Sequence, residues 1–216
     1  MVNFTIQELG LDCRNPFAGV YLAFKSSTQK RQPLTNQQIK QLQEACYQVG
    51  DDMRWLAALI SDTGMRLAEA AGLLTEDLKL NHEHPHITLK PYPHRSLKTK
   101  ASERVIPLVG ASLWAAQRIA VSTQSDFCFP RYTNSESCNS NSASAAINKW
   151  VKTVVGDDAV IHGLRHSFRD RLRQAEAPIE VIDQLGGWSL RTVGQSYGNG
   201  HTLEILTKWM RTIVEV

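Results

Sequence analysis

The chain has 216 residues, 42% of them hydrophobic and 21% charged, with a formal net charge of +3. That length fits one domain, or one domain with extensions, and suffices to bury a core without disulfides or metals. With no apolar run of about 18 residues and no evident signal peptide, the composition reads as a soluble globular protein, argues against secretion and membrane spanning, and leaves the cytoplasm as the default location.

Residues 1–33 show little periodicity and hold "RNPF" and "SSTQKRQP", which reads as an N-terminal arm or linker. From Thr35 the pattern tightens. Thr35 and Gln38 form a capping box that opens a helix through about Val49. Asp51 or Asp52 caps the next helix, whose Trp55, Leu56, Leu59 and Ile60 make an apolar face and whose end suits Gly64. "MRLAEAAGLL" then reads as a further short helix. Past Asn81, "HITLK" and "RVIPL" alternate as strands around the basic, Pro-broken "PYPHRSLKTKASE", predicting an antiparallel hairpin with a cationic tip. Helical patterning resumes at 111–121. After a Ser/Asn-rich loop at 133–144 it continues to about Val155, then recurs over 163–176, 178–185, 189–197 and 202–214. The expected fold is mainly α with one small antiparallel β element.

Cys13, Cys46, Cys128 and Cys138 have no CxxC spacing and no His at finger-like distances, so scattered thiols in a reducing compartment are expected. His82, His84 and His86 alternate as strand neighbours would, but Pro85 interrupts them and no carboxylate or Cys completes a ligand set. No metal is expected there.

Four stretches carry chemistry. Arg66, with Glu69 three residues on, is either an exposed pair of small energetic value or a guanidinium held by a carboxylate and presented to a phosphate. The hairpin cations Lys90, His94, Arg95, Lys98, Lys100 and Arg104 are either a solvated loop or a finger laid on a nucleic-acid backbone. His162 and Arg165 sit at i and i+3 ahead of the apolar stripe Leu164, Phe168 and Leu172, so a helix would hold them side by side. Trp188, after two glycines, and Tyr197, before Gly198, are ordinary packing residues taken singly.

In their order along the chain, Arg66, the hairpin lysine, His162-x-x-Arg165, Trp188 and Tyr197 resemble the active-site signature of the tyrosine recombinase (phage integrase) family. "TGMRLAEAAGL" resembles its first-arginine box, "LKTKASERVIPL" its β-hairpin, "HGLRHSF" its His-x-x-Arg box and "LGGWSLRTVGQSYG" its nucleophile box. The likeness runs from about Leu34 to about Val214. The family commonly has His where Trp188 stands. Its members usually carry a helical DNA-binding domain ahead of the catalytic one, and residues 1–33 would be the remnant of that joint.

The resemblance implies the catalytic-domain fold of that family and a DNA strand-exchange reaction on double-stranded DNA, with no cofactor. Tyr197 would attack the scissile phosphodiester, giving a 3′-phosphotyrosine link and a free 5′-hydroxyl. His162 would act as the base, Arg66 and Arg165 would grip the non-bridging oxygens, and Lys98, with Lys100 as rival, would protonate the leaving oxygen. Trp188 would donate to the phosphate or pack the nucleophile's helix, and Glu69 would orient Arg66 or His162. Arg95, Lys100 and Arg104 would contact DNA. The helix 202–214, with Leu203, Leu206, Met210 and Ile213 at helical spacing, would either join protomers into a tetramer on DNA or pack on its own core. Two other readings share these features: a DNA-binding module of the same fold that does not cut, and a topoisomerase-like relaxing enzyme.

Overall fold

A computed structural model describes residues 2–19, 32–188 and 200–214. The chain divides into two units, Met1–Lys30 and Arg31–Val216. In the first, α1 (Val2–Glu8) buries none of its side chains, a helix that the weak periodicity of the arm did not signal.

The second unit contains α2 (Asn36–Val49), α3 (Asp52–Thr63), α4 (Leu67–Ala71), the strands β1 (Leu78–Lys79), β2 (His86–Leu89) and β3 (Arg104–Pro107), then α5 (Gly110–Ser122), α6 (Ser140–Val155), α7 (Gly163–Gln174), α8 (Ile179–Gly186) and α9 (Leu203–Thr212). The helix starts follow from their caps. Thr35 Oγ1 accepts from the Gln38 backbone N–H at 3.2 Å, while Gln38 Oε1 accepts from the Thr35 N–H at 2.9 Å. Each side chain thereby satisfies a backbone donor that α2 leaves open. Asp51, not Asp52, caps α3 by accepting from the Arg54 N–H at 3.0 Å. Gly64 closes α3 at φ 60°, where a Cβ would stand 2.4 Å from Phe168 Cδ1 of α7. Both the left-handed backbone and the close ring exclude a side chain there.

The central element is α3. Every residue from Leu56 to Thr63 is buried, with α2, α5, α6 and α7 packed around it. An all-round buried helix needs its polar groups satisfied from within. Ser61 and Thr63 hydroxyls donate to the carbonyls of Ala58 and Leu59. Asp62 accepts from Arg171, Gln43 and the Ala111 backbone N–H at the start of α5. Burial pushes the Asp62 carboxyl above its ordinary value, against the pull of Arg171.

The three strands form an antiparallel sheet in the order β1-β2-β3, with Leu78 opposite Ile87 and Leu89 opposite Arg104. The expected hairpin is therefore β2–β3. Its connection, however, folds back on the body of the unit instead of projecting as a finger. Tyr92 and Arg95 pair through their backbones, and Arg95 is buried. The helix expected over 189–197 lies outside the described residues. In α9, Leu206, Met210 and Ile213 are buried in the chain's own core, beside β3, α7 and α8. Of the two uses open to this apolar stripe, a second protomer or the chain's own core, the structure shows the second. No helix among the described residues is long and apolar enough to cross a membrane.

Candidate active site

Two short helical beginnings carry the candidate residues. The first is α4, where Arg66 occupies the N-cap position and Glu69 the first turn. Glu69 turns back to accept from the Arg66 backbone N–H at 3.0 Å and from Arg66 Nη1. This fixes the arginine along the carboxylate while a quarter of its side chain stays exposed. Arg66 Nη1 also donates to Ser102 Oγ at 3.1 Å, and Ser102 in turn lies 3.1 Å from Thr99 Oγ1. The turn that carries Lys98 and Lys100 is thereby attached to Arg66. Both lysines are exposed, Lys98 in a bend and Lys100 at the start of the 3-10 turn Lys100–Ser102.

The second is α7. His162 precedes it and stands partly exposed, with its ring edge-on to His166 at 5.2 Å between centroids. Arg165 lies within the first turn and is buried. Its Nη1 donates to the Gly64 carbonyl and its Nη2 to the Gly186 carbonyl, each at 2.6 Å. These are carbonyls at the C-terminal ends of α3 and α8, which have no partner in their own helices and carry the negative end of the helix dipole. One guanidinium thus joins three helices.

Trp188 completes this group. Its ring centroid lies 4.5 Å from the Arg165 guanidinium carbon and 4.6 Å from that of Arg169. Its backbone N–H donates to the Asp183 carbonyl at 3.0 Å, and Arg169 pairs with the Asp183 carboxylate at 3.1 Å. Trp188 packs on these two guanidiniums, while the nucleophile's helix that it was expected to pack lies outside the described residues. Gly186 makes room for it, since a Cβ at that position would fall 1.7 Å from Trp188 Cζ3.

The electrostatics favour an anion. Among the described residues, the charges of Arg66, Arg104 and Arg165 are offset by one carboxylate, that of Glu69. Burial, reinforced by repulsion from Arg66 and Arg104, pushes Arg165 down to about 9. Burial alone would raise Glu69, but Arg104 and Arg66 outweigh it and hold the carboxyl below its usual range. A cluster with more positive than negative charge in partly desolvated surroundings is stabilised by an incoming phosphate.

Two residues expected to touch DNA are placed otherwise. Arg95 is buried, with Nη2 on Asp77 at 3.2 Å and on the Lys90 carbonyl at 2.7 Å, and Nη1 on the Gly72 carbonyl at 2.9 Å. Arg104 is also buried, with its guanidinium shared among Glu69, Ser102 and Leu185. Both hold the fold because buried carbonyls and carboxylates there need donors. His82 and His86 pack edge-on, with ring centroids 4.9 Å apart, and no group of His, Cys, Asp or Glu among the described residues is arranged to hold a metal. Tyr197 lies outside the described residues. Sequence reasoning passed over Ser102, Gly186 and the Arg169–Asp183 pair. The available signals were Arg169 at i+4 from Arg165 on one helix face and a second glycine where one would end a helix.

The phage integrase family model matches residues 32–202. No curated protein matches the sequence. Among solved structures, the chain is similar to the Tn1549 transposon integrase (residues 82–397) in complex with circular intermediate DNA, at TM-score 0.63 and 18% identity over 96% of this chain and 76% of that one. It is also similar to the XerA recombinase, at TM-score 0.56 and 16% identity over 100% and 68% of the two chains. A third likeness is to the XerH site-specific recombinase bound to palindromic difH substrate, at TM-score 0.57 and 19% identity over 88% and 52%. The family match spans α4, the β2–β3 hairpin and α7 together, and the shared fold brings their arginines to one place. This chain belongs to the phage integrase family and has the fold of a tyrosine recombinase catalytic domain.

Proposed function

We propose that the chain cleaves and rejoins double-stranded DNA in the cytoplasm through a 3′-phosphotyrosine intermediate on Tyr197. The supporting observation is the convergence of Arg66 from α4 and Arg165 from α7 around a single offsetting carboxylate. Tyr197 Oη bonds to the scissile phosphorus as the P–O5′ bond breaks. The phenol proton passes to His162, and Lys98 gives a proton to the leaving 5′-oxygen, with Lys100 the alternative donor. The N–H groups of Arg66 and Arg165 not engaged within the protein bind the non-bridging oxygens, whose charge grows towards the phosphorane. Trp188 keeps Arg165 in place by stacking on it, and Glu69 keeps Arg66 in place. The phosphotyrosine retains the bond energy, so attack by a second 5′-hydroxyl reseals a strand without ATP. Two guanidiniums supply the charge stabilisation, and the mechanism calls for no metal. Assembly into a tetramer on DNA belongs to the same reading.

A nicked suicide substrate tests this. The short 5′-hydroxyl fragment diffuses away, so protein should accumulate covalently on a DNA 3′ end and the adduct should map to Tyr197. Tyr197→Phe should abolish the adduct while leaving folding and DNA binding intact. Arg66→Ala or Arg165→Ala should reduce its rate by ~10²–10³-fold, the scale of losing one such donor. An adduct on another residue, or one that needs a divalent metal, contradicts the mechanism.

A further inference from the structure

Arg104 is an expensive residue to bury. Its side chain is 3% exposed, on a strand position opposite Leu89 where an apolar residue would satisfy the core. Burying a charge is unfavourable unless every donor meets a well-placed acceptor, so a guanidinium kept there adds direction more than stability. Its directions are specific. Nη2 donates to Glu69 Oε2 at 3.1 Å, Nη1 to the Ser102 carbonyl at 2.7 Å and Nε to the Leu185 carbonyl at 2.8 Å. Those acceptors belong to α4, to the turn after Lys98 and Lys100, and to the last turn of α8. The contact with α8 is close. Gly187 has φ 62°, and a Cβ on it would stand 2.7 Å from Arg104 Nη1 and 3.0 Å from the Ala101 carbonyl oxygen. Trp188 follows directly.

Glu69 therefore sits between two guanidiniums, one Oε2 contact going to Arg104 and the Oε1 contact to Arg66. Without Arg104, Oε2 would keep only the Arg66 backbone N–H, and the carboxylate could turn further onto the Arg66 guanidinium. That would neutralise Arg66 and turn its fork from the phosphate.

We propose that Arg104 is a positioning residue for strand cleavage, holding Glu69 off the outer edge of Arg66 and fixing α4, the lysine turn and the end of α8 in one register. This rests on the strand-transfer reading above. Arg104 touches no DNA. It acts through Glu69 on Arg66, and through the Leu185 carbonyl on the end of α8 just before Trp188.

The test is a double-mutant cycle on the full chain with the nicked substrate, reading adduct rate, DNA affinity and melting temperature. Arg104→Met should slow adduct formation by ~10²-fold, the cost of misplacing a reacting group by about an ångström. DNA affinity should fall by no more than the share of one phosphate contact, far less than the rate, because the other backbone contacts remain. Adding Glu69→Gln should restore much of the rate, since a neutral amide no longer competes for Arg66; a purely structural role predicts rates that only track melting temperature, because two charges in contact also couple in stability. Arg104→Lys, which keeps the buried cation but loses the fork, provides a folded variant if Arg104→Met does not fold, and should be slowed in the same way. Inorganic sulfate reads the site without chemistry. Its stabilisation of the wild-type chain should shrink several-fold in Arg104→Met and return when Glu69→Gln is added. Rates that only track melting temperature, or rate and DNA affinity falling by the same factor, overturn the positioning role. A wild-type chain that makes no Tyr197 adduct but shows the sulfate pattern retains the role of Arg104 on Arg66 and sinks the strand-transfer reading. Neither an adduct nor a sulfate shift sinks both.

Discussion

Arg165 shows how one residue carries both structure and chemistry. Its guanidinium closes the ends of α3 and α8 through Gly64 and Gly186 and lies over Trp188, so its remaining N–H groups have a set direction. Preorganised donors of this kind need no rearrangement as charge develops, which is what makes them effective on a phosphorane. The arrangement depends on Gly186. In Gly186→Ala the new methyl would enter the space of the Trp188 ring, 1.7 Å from Cζ3, and the ring must leave Arg165. Overpacking costs about 1–3 kcal/mol. Thermal denaturation should record that loss, and adduct formation should fall with it. A variant as stable and active as wild type would show that the Trp188–Arg165 stack contributes nothing.

Among the elements, α9 decides a question that its pattern left open. An amphipathic stripe of Leu206, Met210 and Ile213 serves equally well for a neighbouring protomer or for the chain's own core. Here it lies against β3, α7 and α8, and Arg171 of α7 donates to the Ile213 carbonyl at the end of the helix. The last turn of α9 is therefore tied to the same arginine that satisfies Asp62 inside α3. Met210 is fully buried. Met210→Ala should cost about 2–5 kcal/mol in denaturant unfolding, and by the same amount at every protein concentration. A loss that grew on dilution would place the stripe at an interface between chains.

At the scale of the whole molecule, a net charge of +3 is too small to explain attraction to DNA, and position matters more than number. Of the cations once grouped in the hairpin, Lys98 and Lys100 are exposed, whereas Arg95 and Arg104 are inside. Affinity for duplex DNA should fall linearly on logarithmic axes as salt rises, at a slope of about −0.9 per neutralised phosphate. Lys100→Ala should flatten that slope by about one contact. Arg95→Ala should leave it unchanged and instead destabilise the fold, because Asp77 would lose its buried partner. Titrating DNA at several salt concentrations distinguishes the two. An Arg95→Ala slope flatter than that of Lys100→Ala would contradict the burial.

The sequence alone determined whatever depends on neighbours along the chain. The capping box at Thr35, the left-handed Gly64 and the described helices from Gly110 onwards rest on contacts a few residues apart, and the strand pair on a single hairpin connection between Leu89 and Arg104. The order of Arg66, the lysine turn, His162-x-x-Arg165 and Trp188 was legible for the same reason, as short boxes with fixed internal spacing. What lay beyond the sequence was which cations face outwards. Arg66, Arg95, Arg104 and Arg165 are the same residue type in similarly polar stretches. Their separate roles depend on carbonyls and carboxylates tens of residues away: Glu69 and Leu185 for Arg104, Gly64 and Gly186 for Arg165, Asp77 and Gly72 for Arg95. A buried guanidinium survives only where distant acceptors converge on it, and that convergence is a property of the packed helices.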